Sequence, residues 1–129
     1  MALAITPLYA GLLGLVFAVL SAEVIRARAR ANVSVGDGGD PGLMLAMRVQ
    51  GNFVEYVPFA LLLIAMAEIQ GAPGWALHGL GAVLLLSRVM HALGLRRSPS
   101  VPPLRGGGFA LSLLVLVIAA ALNILYALN

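Results

Sequence analysis

The chain contains no cysteine, which excludes disulfides, thiolate metal sites and any cysteine nucleophile. It contains no lysine either: its eight basic residues are all arginine, set against five acidic ones. Charged residues make up only 10% of the sequence, against about 25% in an ordinary soluble domain, and that scarcity excludes a soluble globular protein. What fills the chain instead is apolar. Of its 129 residues 61% are hydrophobic and the mean hydropathy is +1.01, so the solvent around most of it is lipid. The length suits a single domain spanning 1–129. A net charge of +3 and a pI near 10.2 would also fit a nucleic-acid binder. The arginines, however, sit at the ends of apolar runs, which is membrane topology, and no nucleic-acid partner is expected.

Four apolar runs organise the sequence. Residues Ala2 to Ala22 carry no charge and are followed by Glu23, Arg26, Arg28 and Arg30. A secretory signal has its positive charge before the apolar run, so this one reads as a retained spanning helix. The second run, Leu43 to Ile69, is interrupted by Arg48, Glu55 and Pro58. The third, Trp75 to Leu95, carries Arg88 and His91 near its end, and the fourth, Phe109 to Leu128, is uncharged. Each is about 20 residues or longer, enough to cross a hydrocarbon core of about 30 Å. The expected fold is an all-α integral-membrane four-helix bundle, with helices over about 3–25, 41–69, 74–95 and 106–128.

Arg26, Arg28 and Arg30 fall in the first loop and Arg96, Arg97 and Arg105 in the third, whereas the second, Gln70 to Gly74, has no charge. The odd loops are therefore expected in the cytoplasm and both termini on the other side. Asp40 and Pro41 have the residue types of a helix cap and first helical position, so helix two should begin at Pro41. Pro58 removes its amide hydrogen and should kink that helix just beyond Glu55.

Arg48, Asn52 and Glu55 stand at i, i+4 and i+7, on one face of helix two. A charge near the bilayer centre costs about 2.5–3.5 kcal/mol, so these side chains should face protein or a water-filled cavity. Arg28, Arg48, Arg88 and Arg105, with Glu55 as the carboxylate at that depth, would make a net positive cavity open to the cytoplasm. It would suit a small anionic ligand, because arginine offers a planar fork that stays charged. Asn52 and Glu55 would add an amide partner and an acceptor for an ammonium group. The same residues could instead be structural, with Arg48 paired to Glu55 and Asn52 as interhelical glue. His91 could shuttle protons or sit as an amphipathic interface residue. His78 and Trp75 read as outer-interface residues, Asn123 as a packing residue, and Ser87 lacks an adjacent base.

The segment from Arg48 to Pro58, with the pattern R-x-Q-x-N-x-x-E-Y-x-P, resembles the second-helix signature of the MAPEG family, the membrane-associated proteins of eicosanoid and glutathione metabolism. Val24 to Arg28 and Arg88 to His91 agree with it, and the likeness covers essentially the whole chain. The resemblance implies a homotrimer with glutathione bound between neighbouring subunits near the cytoplasmic face. It implies cofactor contacts from Arg28, Arg48, Gln50, Asn52, Glu55, Tyr56, Arg88 and His91, and a catalytic Arg105 stabilising the glutathione thiolate. A cation beside the sulfur favours its charged form, which would give thiol chemistry to a chain without cysteine. No metal site is assigned.

Leu95 and Phe109 stand where the family's eicosanoid enzymes have tyrosines, Gly51 replaces an arginine of some members, and Pro99, Pro102 and Pro103 mark an unusual third loop. These departures look like a bacterial branch, located in the inner membrane. They point away from an eicosanoid and toward an apolar electrophile or lipid hydroperoxide arriving from the bilayer. The expected activity is a glutathione-dependent transferase or peroxidase. The alternative is a non-catalytic lipid-binding or accessory subunit of a membrane complex. A small cation exporter is disfavoured, since it would need a carboxylate in mid-helix one, where Glu23 instead lies at the helix end beside Arg26.

Overall fold

Four long helices account for almost all of the chain in the computed structural model, which describes residues 3–96 and 102–128. They are α1 (Ile5–Ala31), α2 (Pro41–Ile69), α3 (Gly74–Arg96) and α4 (Pro102–Leu128). Arg97 and Pro99, read above as part of the third loop, lie outside the described residues, as do the side chains of Leu95 and Arg96. All four helices are long and apolar enough to cross a membrane, so the chain is a membrane-spanning four-helix bundle.

The helix ends follow local chemistry. Asp40 caps α2, its Oδ1 accepting the Leu43 amide at 2.7 Å, and Pro41 occupies the first turn, where its missing N–H leaves no gap. α1 continues past the apolar run to Ala31, so Arg26, Arg28 and Arg30 ride on its last turns rather than in a loop. Cations there oppose the negative end of the helix dipole. Asn32 ends α1 in the left-handed region at φ 53°, a conformation asparagine tolerates better than most residues. α4 begins at Pro102, which puts Arg105 inside its first turn. α2 runs through Pro58 as one uninterrupted helix, and the proline leaves the Val54 carbonyl without its usual intrahelical donor.

The helices alternate in direction. α2 and α3 form the central diagonal, each touching the other three, while α1 and α4 occupy opposite corners without contact among the described residues. The core between them is aliphatic: Leu13 and Leu20 from α1, Phe53, Val57 and Ile64 from α2, Leu77 and Leu84 from α3, and Val115 and Ala119 from α4. Phe17 stacks on Phe53 with ring centroids 5.5 Å apart. The outward faces stay apolar, with Leu15, Phe59, Leu86 and Val117 exposed, as lipid contact requires.

At the end holding the α2–α3 turn, polar side chains tie the helices to one another. Glu68 accepts the amides of Ala4, Ile5 and Thr6 at 2.7 Å each and the Thr6 hydroxyl at 2.5 Å. A carboxylate from α2 thus caps the opening turn of α1, satisfying donors that the helix itself cannot. Asn123 donates to the carbonyls of Leu63 and Ala119 at 2.7 and 2.8 Å and accepts from Gln70 at 2.7 Å. His78, expected only as an interface residue, also meets the Tyr9 hydroxyl through Nδ1 at 3.1 Å.

Candidate functional site

Near the arginine-rich end, α2, α3 and α4 enclose a cavity of 420 Å³ lined by Leu45, Arg48, Asn52, His91, Arg105, Gly106 and Phe109. Four of the nine site residues expected from the sequence therefore meet on one wall. Arg48 and Arg105 are exposed there, and neither guanidinium has a hydrogen-bond or ion-pair partner among the described residues. Two guanidiniums lining one cavity, with no carboxylate among its described lining residues, make it strongly attractive to an anion.

Behind this wall lies Arg88, only 2% exposed. Its NH1 donates to Asn52 Oδ1 at 2.6 Å, its Nε to Ser87 Oγ at 3.4 Å, and its NH2 to Gly108 O at 3.3 Å and to Ser112 Oγ. Every one of these acceptors is neutral. The buried charge is solvated by dipoles rather than neutralised, and it joins α2, α3 and α4 through a single side chain. Because Asn52 Oδ1 is engaged by Arg88, the Asn52 amide is left to act on the cavity as a donor through Nδ2.

Close helix approach makes this network possible. A Cβ built on Gly108 would stand 2.6 Å from Ser87 O and 2.7 Å from His91 N, and one on Gly94 would stand 2.5 Å from Arg105 N. Only glycine permits such contact between α3 and α4. The approach brings the Arg105 carbonyl to His91, whose Nδ1 lies 3.2 Å away. His91 is 8% exposed.

The remaining expected residues are placed differently. Tyr56 meets Phe109 edge to face, with centroids 5.4 Å apart, at the margin of the cavity. Glu55 is exposed on the same face of α2, beyond the cavity wall, and Arg48 and Glu55 form no ion pair with each other. Gln50 lies about 200° around the helix from Arg48 and donates to Ser21 on α1 at 2.8 Å, away from the cavity. Arg28 turns to its own loop, donating to Gly36 O at 2.8 Å, with Met47 Sδ 3.6 Å from NH2. Sequence reasoning missed Ser112. Its signal was a small polar residue four positions after Gly108 in an otherwise apolar helix, the spacing that lets membrane helices pack closely. Ser87, weighed as a nucleophile, donates to Leu84 O at 2.6 Å and lies 2.7 Å from Ser112 Oγ, and among the described residues it makes no hydrogen bond to a base.

Comparison with known proteins bears on this constellation. The model of the MAPEG family matches residues 6–125. The inner membrane protein YecN of Escherichia coli, in two strains, is 42% identical over 90 residues, covering 70% of this chain and 69% of the relative. No solved structure matches the chain.

Proposed function

The chain belongs to the MAPEG family, and from that premise we propose that it is a glutathione-dependent membrane transferase or peroxidase acting on apolar electrophiles or lipid hydroperoxides. The observation that carries this reading is that the Arg48 and Arg105 guanidiniums, without a partner among the described residues, line one cavity together with Asn52, whose oxygen is held by Arg88. The donor set fits a tripeptide that bears two carboxylates and one ammonium. Arg48 is suited to a carboxylate fork and Asn52 Nδ2 to a carbonyl, while Glu55, beyond the cavity wall on the same face of α2, would meet the ammonium of a ligand reaching past that wall. The cavity volume of 420 Å³ is within the range of about 300–1,000 Å³ typical of small-molecule sites.

Glutathione supplies the thiol nucleophile when bound. Arg105 is the residue assigned to stabilise negative charge on that sulfur, since a fixed cation lowers the energy of the charged form. Arg88 acts at one remove, by holding Asn52. Phe109 and Leu45 give the cavity an apolar margin for a substrate entering from the bilayer.

Assembly belongs to the same proposal. Arg48 and Glu55 are both exposed on α2, and lipid contact for either would cost about 2.5–3.5 kcal/mol. A second copy covering this face removes that cost, and a closed trimer would complete the site with Gln50 and Arg28 from a neighbour. The membrane proposed is the bacterial inner membrane, with the arginine-rich end in the cytoplasm.

The test is turnover. Purified protein given glutathione with a panel of apolar electrophiles and a lipid hydroperoxide should form conjugate or reduce peroxide, and Arg105→Ala should abolish it. Phe109 supports one second reading, a non-catalytic accessory subunit, because it brings a ring without a hydroxyl to the cavity. Glutathione binding without turnover on any substrate, together with stable co-purification with a larger membrane complex, would favour that reading.

A further inference from the structure

His91 has a role that the glutathione cradle leaves unfilled. Its Nδ1 lies 3.2 Å from the Arg105 carbonyl oxygen. A carbonyl can only accept, so Nδ1 carries the hydrogen, and in the neutral ring Nε2 is then the bare nitrogen. Nε2 has no hydrogen-bond partner among the described residues, yet among those residues no polar side-chain atom is sealed in the bundle unsatisfied. It is therefore accessible, and the cavity is the space His91 lines. The other polar groups on that wall, Arg48, Arg105 and Asn52 Nδ2, are all donors. Apart from Asn52 Oδ1, which already accepts from Arg88, Nε2 is the acceptor among the described side chains lining the cavity, and it is a base.

Its setting is fixed on every side. Gly94 and Gly108 allow α4 to approach α3 closely enough for the Arg105 carbonyl to reach the ring. The charged neighbours are Arg88, one turn back on α3, Arg105 from α4 and Arg48 from α2; among the described residues no carboxylate lines the cavity. The hydrogen bond that selects the tautomer comes from the residue whose side chain is assigned to the sulfur. The same contact that orients the base therefore also positions the cation.

We propose that His91 is the general base of the site, its Nε2 taking the proton of the bound thiol while Arg105 stabilises the charge left behind. This rests on the glutathione reading above. The S–H bond breaks, its electron pair stays on sulfur, and the proton passes to Nε2 to give an imidazolium, which later returns it to water. No oxidant or reductant is required.

His91→Asn separates this role from a merely structural one. The asparagine amide can replace Nδ1–H as donor to the Arg105 carbonyl, while the base at Nε2 is lost. With wild-type protein, bound glutathione should show the ultraviolet absorbance of a thiolate at neutral pH. In His91→Asn the tripeptide should still bind, but the thiolate signal should fall at least tenfold, and conjugation should slow by about 100-fold, as removal of a general base does. A second measurement needs no variant. Ring-nitrogen NMR of wild-type protein should find His91 protonated at Nδ1 alone without ligand and at both nitrogens once glutathione is added. An unchanged thiolate signal in His91→Asn, or a ring protonated at Nε2 in the free protein, overturns the proposal. Failure of wild-type protein to bind glutathione would instead remove the functional reading on which it stands.

Discussion

Glu68 and Arg48 lie on the same helix and are treated in opposite ways. Glu68 is buried and its two oxygens accept four donors from α1. Around it Asn123 and Gln70 bond to each other and to backbone. At the other end of α2 the exposed side chains of Arg48 and Glu55 have no partner among the described residues, and neither does the Arg105 guanidinium facing them from α4. A polar group in a membrane helix is expensive unless satisfied. Where the chain satisfies it internally, the residue holds the bundle together; where it does not, something outside this chain must. The difference separates a structural end from the end proposed to bind a ligand, and Arg88 marks the border, satisfied by neutral groups alone.

The contrast can be broken by experiment, most severely at Glu68. Glu68→Ala should destabilise the folded protein by about 2–3 kcal/mol, because a cap is lost and buried amides are stranded. Thermal unfolding in detergent measures this, and glutathione affinity of the surviving folded protein should be unchanged. Arg48→Ala should do the reverse. Its melting temperature should stay near wild type, as for an exposed residue, while glutathione affinity falls by about 10-fold or more through loss of a charge-assisted hydrogen bond. Ser112→Ala sharpens the border. Removing an acceptor from buried Arg88 should cost about 1 kcal/mol of stability and also weaken binding, since Asn52 loses part of its anchor; both readouts should move together. Asn123→Ala is the smallest, about 0.6 kcal/mol of stability, with no effect on binding.

The sequence announced the spans, the start of α2 at Pro41 and the shared face of Arg48 and Asn52, because these follow from helix period, capping chemistry and the free energy of charge in lipid. It was less informative wherever a partner lies on another helix. Gln50 carries the same family signature as Asn52, but its position around α2 aims it at Ser21 on α1. Arg28 reads as a cavity arginine until the loop beyond it supplies the Gly36 carbonyl. Glu68 gave no warning at all, since its partners are mostly backbone amides more than sixty residues away, and amides have no signature in sequence. The glycines at 106 to 108 looked like a plain run; contact with α3 is what singles out Gly108.

The central claim is that the unpaired arginines form a glutathione site, and equilibrium binding of labelled glutathione to the detergent-purified protein tests it most directly. The measurement should be run beside Arg48→Ala and Glu55→Gln. The account predicts saturable binding to wild type that both substitutions weaken without unfolding the protein. No binding to a folded wild-type protein, or binding that both variants retain in full, would contradict it.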